Sequence, residues 1–133
     1  MSAEMLVCLL FAGIGGACGA FLRYVLLGTA EKYTKFPAGV LIANTIGTFL
    51  LAFSTFYIAK ESSTWDTAFE HIERMTFFFN TGVFGSLTTF STFSYNNLIY
   101  LEQKKYLPLT ANIFLNIIFC TAAVFTALLL VYS

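Results

Sequence analysis

Between residues 82 and 94 the chain reads Gly-Val-Phe-Gly-Ser-Leu-Thr-Thr-Phe-Ser-Thr-Phe-Ser, two glycines followed by a dense run of hydroxyls broken by two phenylalanines. Glycine and clustered Ser and Thr weaken a helix and offer the backbone competing hydrogen bonds, so an unwound segment is expected here. Freed carbonyl oxygens can hold a small hard cation with no carboxylate present, as in ion filters and broken-helix transporters. A helix restarting at Phe90 would stack Phe90 and Phe93, three apart, along one face beside hydroxyl donors. Aromatic rings have a negative face and a positive edge, so edge-on rings can coordinate an anion, and Asn44 could add amide donors. An anion met by dipoles rather than a full charge can be desolvated without being trapped, which favours conduction. The competing readings are apolar packing for Phe90 and Phe93, in a chain with 16 phenylalanines, and an interhelical hydrogen bond for Asn44.

The elements that must position these residues are membrane helices. Of 133 residues 58% are hydrophobic and 11% charged, and the charges are bunched. Runs of about 20 uncharged residues match the hydrocarbon thickness of a bilayer. Four such runs predict spans over residues 5–27, 36–59, 75–101 and 106–132, all in one four-span membrane domain covering 1–133. The fold class expected is all-α, with the third helix broken mid-membrane. The only charge ahead of the first run is Glu4, so that run reads as a retained span rather than a secretory signal. Pro37 and Pro108 fall in first turns and mark helix starts. Gly15 and Gly19, like Ala43 and Gly47, are small residues four apart that let helix backbones approach closely in lipid. In the second loop Trp65, Phe69 and Ile72, with Asp66, Glu70 and Glu73 between them, read as a short amphipathic surface helix.

Several classes of function are poorly served. Cys8, Cys18 and Cys120 are scattered and His71 is the lone histidine, so neither a zinc site nor a Ser-His-Asp triad can be assembled within the chain. An enzyme and a nucleic-acid partner are therefore not expected. Asn44, Asn80, Asn112 and Asn116 are polar groups at membrane depth, and each is a functional candidate by default. No Lys, Arg, Asp or Glu lies deep in a span, which argues against a proton-coupled exporter. Lys32, Lys35, Lys104 and Lys105 in the first and third loops stand against Lys60 and Arg74 in the second, an imbalance small enough to let the chain insert both ways. Unwound backbone survives in a bilayer only when buried in protein or lining a cavity, and a second copy crossing break against break would supply that burial.

Together Gly15-Gly16 through Gly19 to Arg23-Tyr24, Asn44-x-x-Gly47-x-Phe49, and Gly82-x-x-Gly85-x-x-Thr88-Thr89-Phe90-Ser91-Thr92-Phe93-Ser94 resemble the Fluc (CrcB) family of fluoride channels over nearly the whole chain. The resemblance implies a multi-pass protein of the cell membrane, an antiparallel, dual-topology homodimer with two fluoride pores and a central structural sodium ion. It implies a pore lined by Asn44, Phe90 and Phe93, with a polar track of Ser91, Thr92 and Ser94, and sodium held by the Gly85 and Thr88 carbonyls. It implies a structural role for Arg23 at the end of the first span. Asn96 stands where the family commonly has glutamate. Asn116 and Cys120 stand where it has Tyr or His followed by Ser; Asn116 retains a hydrogen-bond donor for the pore. These departures leave a homologous unlike subunit as an alternative partner to a second copy. The function expected is passive fluoride export, protecting a cell against fluoride that enters as the neutral acid. The alternatives are a small four-span multidrug or cation exporter and a non-transporting membrane scaffold.

Overall fold

The computed structural model describes residues 3–30, 32–34, 36–61 and 74–133. Helix α1 spans Ala3–Ala30, α2 spans Ala38–Glu61, α3 spans Phe90–Glu102 and α4 spans Tyr106–Tyr132. Between α2 and α3 come a π-helical stretch, Phe77–Phe84, and one α-helical turn, Gly85–Leu87. At 1.5 Å per residue the 24 residues of α2 already reach about 36 Å, enough to cross a hydrocarbon core of about 30 Å, whereas the 13 of α3 reach only about 20 Å. Among the described residues three helices are thus long and apolar enough to cross a membrane, and the third span expected from the sequence is divided at the break into shorter helical pieces. The Trp65 to Ile72 amphipathic helix, with His71 and Lys35, lies outside the described residues.

Helix starts follow the proline signals. The Pro37 carbonyl accepts from Val40 and Leu41 N–H at 3.2 and 3.3 Å, and Pro108 sits in the first turn of α4. Directions follow from the contacts. Gly15 abuts Phe78, Gly19 abuts Val83 and Arg23 reaches Thr88, so the third span runs parallel to α1. Asn44 meets Thr89 while Ser54 meets Asn80, so α2 runs against it. Asn44 meets Asn116 while Lys60 meets Val131, so α2 and α4 run together. The chain therefore weaves in alternation, with the α1–α2 and α3–α4 connections at one end.

The interior is built from small and polar residues, while the large apolar ones face outward. Ala43, Ala127 and Asn112 are wholly buried, whereas Leu10, Ile14, Phe21, Phe125 and Leu129 are exposed on the outer faces. Lipid tails are as apolar as leucine, so helices in a membrane associate through close packing and hydrogen bonds rather than by hiding hydrophobic side chains. The close approach is clearest where α1 meets the π stretch. A Cβ on Gly15 or Gly19 would run into the carbonyl oxygens of Phe78 or Val83, and one on Gly82 would come within 2.8 Å of the Ala12 carbonyl. The pairing of Gly15 with Gly19 expected from spacing is therefore realised against backbone. On α2, Gly47 faces the Thr88 methyl, which would lie 2.6 Å from an added Cβ. At the far end Lys60 donates to the Val131 carbonyl and sits 5.8 Å from the Tyr132 ring centroid, a cation closing the C-terminus of α4.

Gly15→Leu and Gly19→Leu should each lower stability by about 3 kcal/mol or more, because the obstacle is backbone that cannot turn aside. Gly13→Ala and Gly28→Ala meet nothing within 4 Å and should be near neutral. Equilibrium unfolding in mixed micelles measures both, and equal effects at the two pairs of sites would refute the packing account.

Candidate ion pathway at the helix break

The break occurs at Thr88 and Thr89, which leave helical geometry at φ −74°, ψ 150° and φ −147°, ψ 117°. Helix α3 restarts at Phe90, with the Thr89 hydroxyl as its cap, accepting from Thr92 N–H at 3.2 Å. The restart at Phe90 is as expected from the sequence. The preceding π stretch is not, and its wide turns carry Gly85 N–H back to the Asn80 carbonyl. Asn80 is fixed in turn by α2, with Ser54 Oγ 2.7 Å from its Oδ1.

Leaving the helix costs the Thr89 N–H its backbone partner, and Asn44 replaces it while also donating to the Thr89 carbonyl, which as the N-cap of α3 already accepts the first bond of that helix. Thr89 N–H donates to Asn44 Oδ1 at 2.7 Å, and Asn44 Nδ2 donates to the Thr89 carbonyl at 3.3 Å. A primary amide has the same acceptor-and-donor layout as a peptide group, so one side chain can pair with an extended residue from both sides. Thr89 is only 5% exposed, so the chain itself buries this part of the break without a second copy. The neighbouring carbonyls are differently served. Thr88 O accepts from Arg23 Nη1 at 3.3 Å, and Gly85 O accepts from the Thr88 hydroxyl at 3.2 Å. Arg23, which the sequence places at a span end, thus turns inward to the break.

A cleft of about 380 Å³ opens beside the break, lined by Asn44, Thr48, Thr88, Thr89, Phe90, Phe93, Asn116, Ile117 and Cys120. The structure therefore brings together Asn44, Phe90, Phe93 and Asn116 from three helices. The rings of Phe90 and Phe93 lie 5.9 Å apart at 42°, and Phe90 is 80% exposed, its ring free to meet a ligand or another chain. Ser91 and Thr92 join the site through Thr89, whose hydroxyl is 3.3 Å from Ser91 Oγ and 3.1 Å from Thr92 Oγ1. Ser94 is half-buried further along α3 and does not line the cleft. The first N–H groups of α3 also end here, and with the helix dipole they favour negative charge.

The asparagines differ from the expectation of free amide donors. Asn44 Nδ2 donates to Asn116 Oδ1 at 3.2 Å as well as to Thr89 O, so both its hydrogens are engaged. Asn116 Nδ2 donates to the Asn112 carbonyl at 2.9 Å and to Asn112 Oδ1 at 3.2 Å. Thr48 and Thr89 are cleft residues that the sequence did not single out, whereas Cys120, which stands where the family has Ser, also lines the cleft. A buried hydroxyl directly before a restarting helix is the signal that would have found Thr89.

Removing the bridge with Asn44→Ala should cost about 2–3 kcal/mol, since it leaves the buried Thr89 N–H unpaired and removes the donor that Thr89 O and Asn116 share. Asn44→Asp should also destabilise, because the carboxylate still accepts from Thr89 N–H but cannot donate to Thr89 O or Asn116. Chemical unfolding measures both, and wild-type stability in either would refute the bridging role.

Comparison with known proteins places this site in context. Residues 10–128 match the model of the family described as CrcB-like protein, Camphor Resistance (CrcB). The chain is 37% identical over 121 residues to a protein named fluoride-specific ion channel FluC 1 of Methanosarcina barkeri, spanning 91% of this chain and 94% of that one. It is 37% identical over 117 residues to a fluoride-specific ion channel FluC of Methanococcus aeolicus, covering 88% of this chain and 89% of that one. A FluC of Thermococcus kodakarensis is 36% identical over 120 residues, with 88% and 89% covered.

Proposed function

Because the chain belongs to the CrcB-like family, we propose that it is a fluoride-selective channel, a multi-pass membrane protein that lets fluoride leave down its electrochemical gradient without catalysing a reaction. The observation that carries this reading is the cleft in which Phe90 and Phe93 stand beside Asn44 at the N-terminus of α3. Ring edges, hydroxyls and the helix end present positive ends of dipoles, and none of the cleft-lining residues bears a formal charge. A small, strongly hydrated anion can exchange water for such dipoles one group at a time and still leave. With the amide hydrogens of Asn44 and Asn116 engaged, the rings and hydroxyls are the first groups fluoride meets, and Asn44 contributes chiefly by holding the break open.

The same reading extends to assembly. Phe90 and Ser91 are exposed on one chain, as is Gly85, a polar and aromatic strip beside a broken helix. Such a strip is costly against lipid and is covered when two chains cross at their breaks. We take the pair to be antiparallel copies of this chain inserted in both orientations, the arrangement the near-balanced loop charges allow. A structural sodium ion fits the donor chemistry of that crossing. Gly85 and Thr88 offer uncharged carbonyl oxygens with lone pairs to spare beyond their hydrogen bonds to Thr88 Oγ1 and Arg23. These carbonyls would hold the ion, which when bound would supply a fixed positive charge between the two chains.

Liposomes loaded with fluoride and bearing the purified protein should release fluoride but retain chloride. Equal chloride flux, or tight liposomes from folded protein, would reject the channel and turn attention to a scaffold role. Phe90→Ile and Phe93→Ile should each abolish fluoride release while leaving the assembled mass unchanged. Undiminished release from both would return the rings to packing.

A further inference from the structure

The four asparagines around the break form a single chain of hydrogen bonds with one direction. Thr89 N–H donates to Asn44 Oδ1 at 2.7 Å, Asn44 Nδ2 to Asn116 Oδ1 at 3.2 Å, Asn116 Nδ2 to Asn112 Oδ1 at 3.2 Å, and Asn112 Nδ2 to Asn97 Oδ1 at 2.7 Å. The chain passes from the break to α2, then along α4, and returns to α3 two turns beyond the break. Its direction is not arbitrary. A backbone N–H can only donate, so Thr89 forces the oxygen of Asn44 towards it and the nitrogen of Asn44 towards Asn116. Asn116 must then present its oxygen to Asn44 and its nitrogen to Asn112, and the same logic carries to Asn97. Reversing Asn44, Asn116 or Asn112 sets donor against donor at one side and acceptor against acceptor at the other.

Asn112 is wholly buried, yet it does not line the cleft, and neither does Asn97. Burying an amide costs free energy unless its groups are paired, so Asn112 requires both neighbours in the chain. We infer that Asn112 and Asn97 are positioning residues for the ion pathway: they touch no ion, and together with the Asn112 backbone carbonyl, which also accepts from Asn116 Nδ2 at 2.9 Å, they hold Asn116 in the amide rotamer that Asn44 needs as an acceptor. Asn97, on α3, closes the circuit by tying the restarted helix to α4, so the break is held at Thr89 and again beyond it. The two residues make different demands. Asn112 must accept from one neighbour and donate to the other, whereas Asn97 need only accept.

Hydrogen exchange of the Thr89 backbone amide, followed by NMR on the assembled protein in lipid nanodiscs with the Leu41 amide as internal reference, tests this. Asn97→Leu and Asn112→Val should each speed exchange at Thr89 about tenfold relative to Leu41, the scale of losing one buried hydrogen-bond partner. Asn97→Asp keeps an acceptor of the same shape and should restore wild-type exchange. Unchanged exchange at Thr89 in Asn97→Leu would overturn the inference, as would equal acceleration in Asn97→Leu and Asn97→Asp, which would reduce Asn97 to packing. Should Asn112→Val fail to fold, the half-buried Asn97 decides the matter alone. The exchange readings stand whether or not the protein conducts. The flux consequence rests on the fluoride reading: efflux from Asn97→Leu liposomes should fall about tenfold. Wild-type liposomes that release no fluoride would reject the channel and leave the exchange result standing.

Discussion

A peptide group without a hydrogen bond is too costly to leave inside a membrane, and everything around the break in the third span answers to that constraint. Continuous helices meet it internally. A helix that opens at Thr88 and Thr89 must find partners elsewhere, and it finds them on two neighbouring helices and in its own side chains. Asn44 of α2 takes the N–H and C=O of Thr89, Arg23 of α1 takes the carbonyl of Thr88, and the Thr88 hydroxyl turns back to Gly85. With these in place a cleft can exist at this depth, because its wall no longer exposes unpaired backbone.

Polar repair of this kind needs helices that stand close together, and the glycines allow it. Gly15, Gly19 and Gly82 bring α1 against the π stretch backbone to backbone, while Gly47 lets α2 reach the Thr88 methyl. Large apolar side chains are left for the outer faces, where they meet lipid. The core is consequently shaped by hydrogen bonds and contact distance, and it is polar where the pathway runs.

Features with local causes were legible in the sequence. Glycines and hydroxyls between Gly82 and Ser94 announced the opening, the restart expected at Phe90 marked its position, and prolines marked the starts of α2 and α4. The small-residue spacing of Gly15 and Gly19 announced a tight face, and the uncharged runs announced four crossings. Features that depend on how helices are rotated against each other were not legible. Asn44 and Asn116 are 72 residues apart, and nothing local says that each spends its donors on another amide rather than on an ion. Arg23 was placed only at the end of the first span, and rotation of α1 is what aims it at Thr88. The π stretch has no sequence signal, since Phe77-Phe78-Phe79 suits an α-helix equally well.

Two links of the amide chain, Asn112 and Asn116, ride on α4, the last of the four helices to leave the ribosome. While only the first three are in the membrane, Asn44 has Thr89 on both sides, but its second amide hydrogen lacks the Asn116 oxygen. The third span therefore enters the bilayer with its opening incompletely braced, and arrival of the final helix is what sets it. Arrival of that helix thus gives the pathway its shape, and a nascent chain short of it carries the opening without its frame.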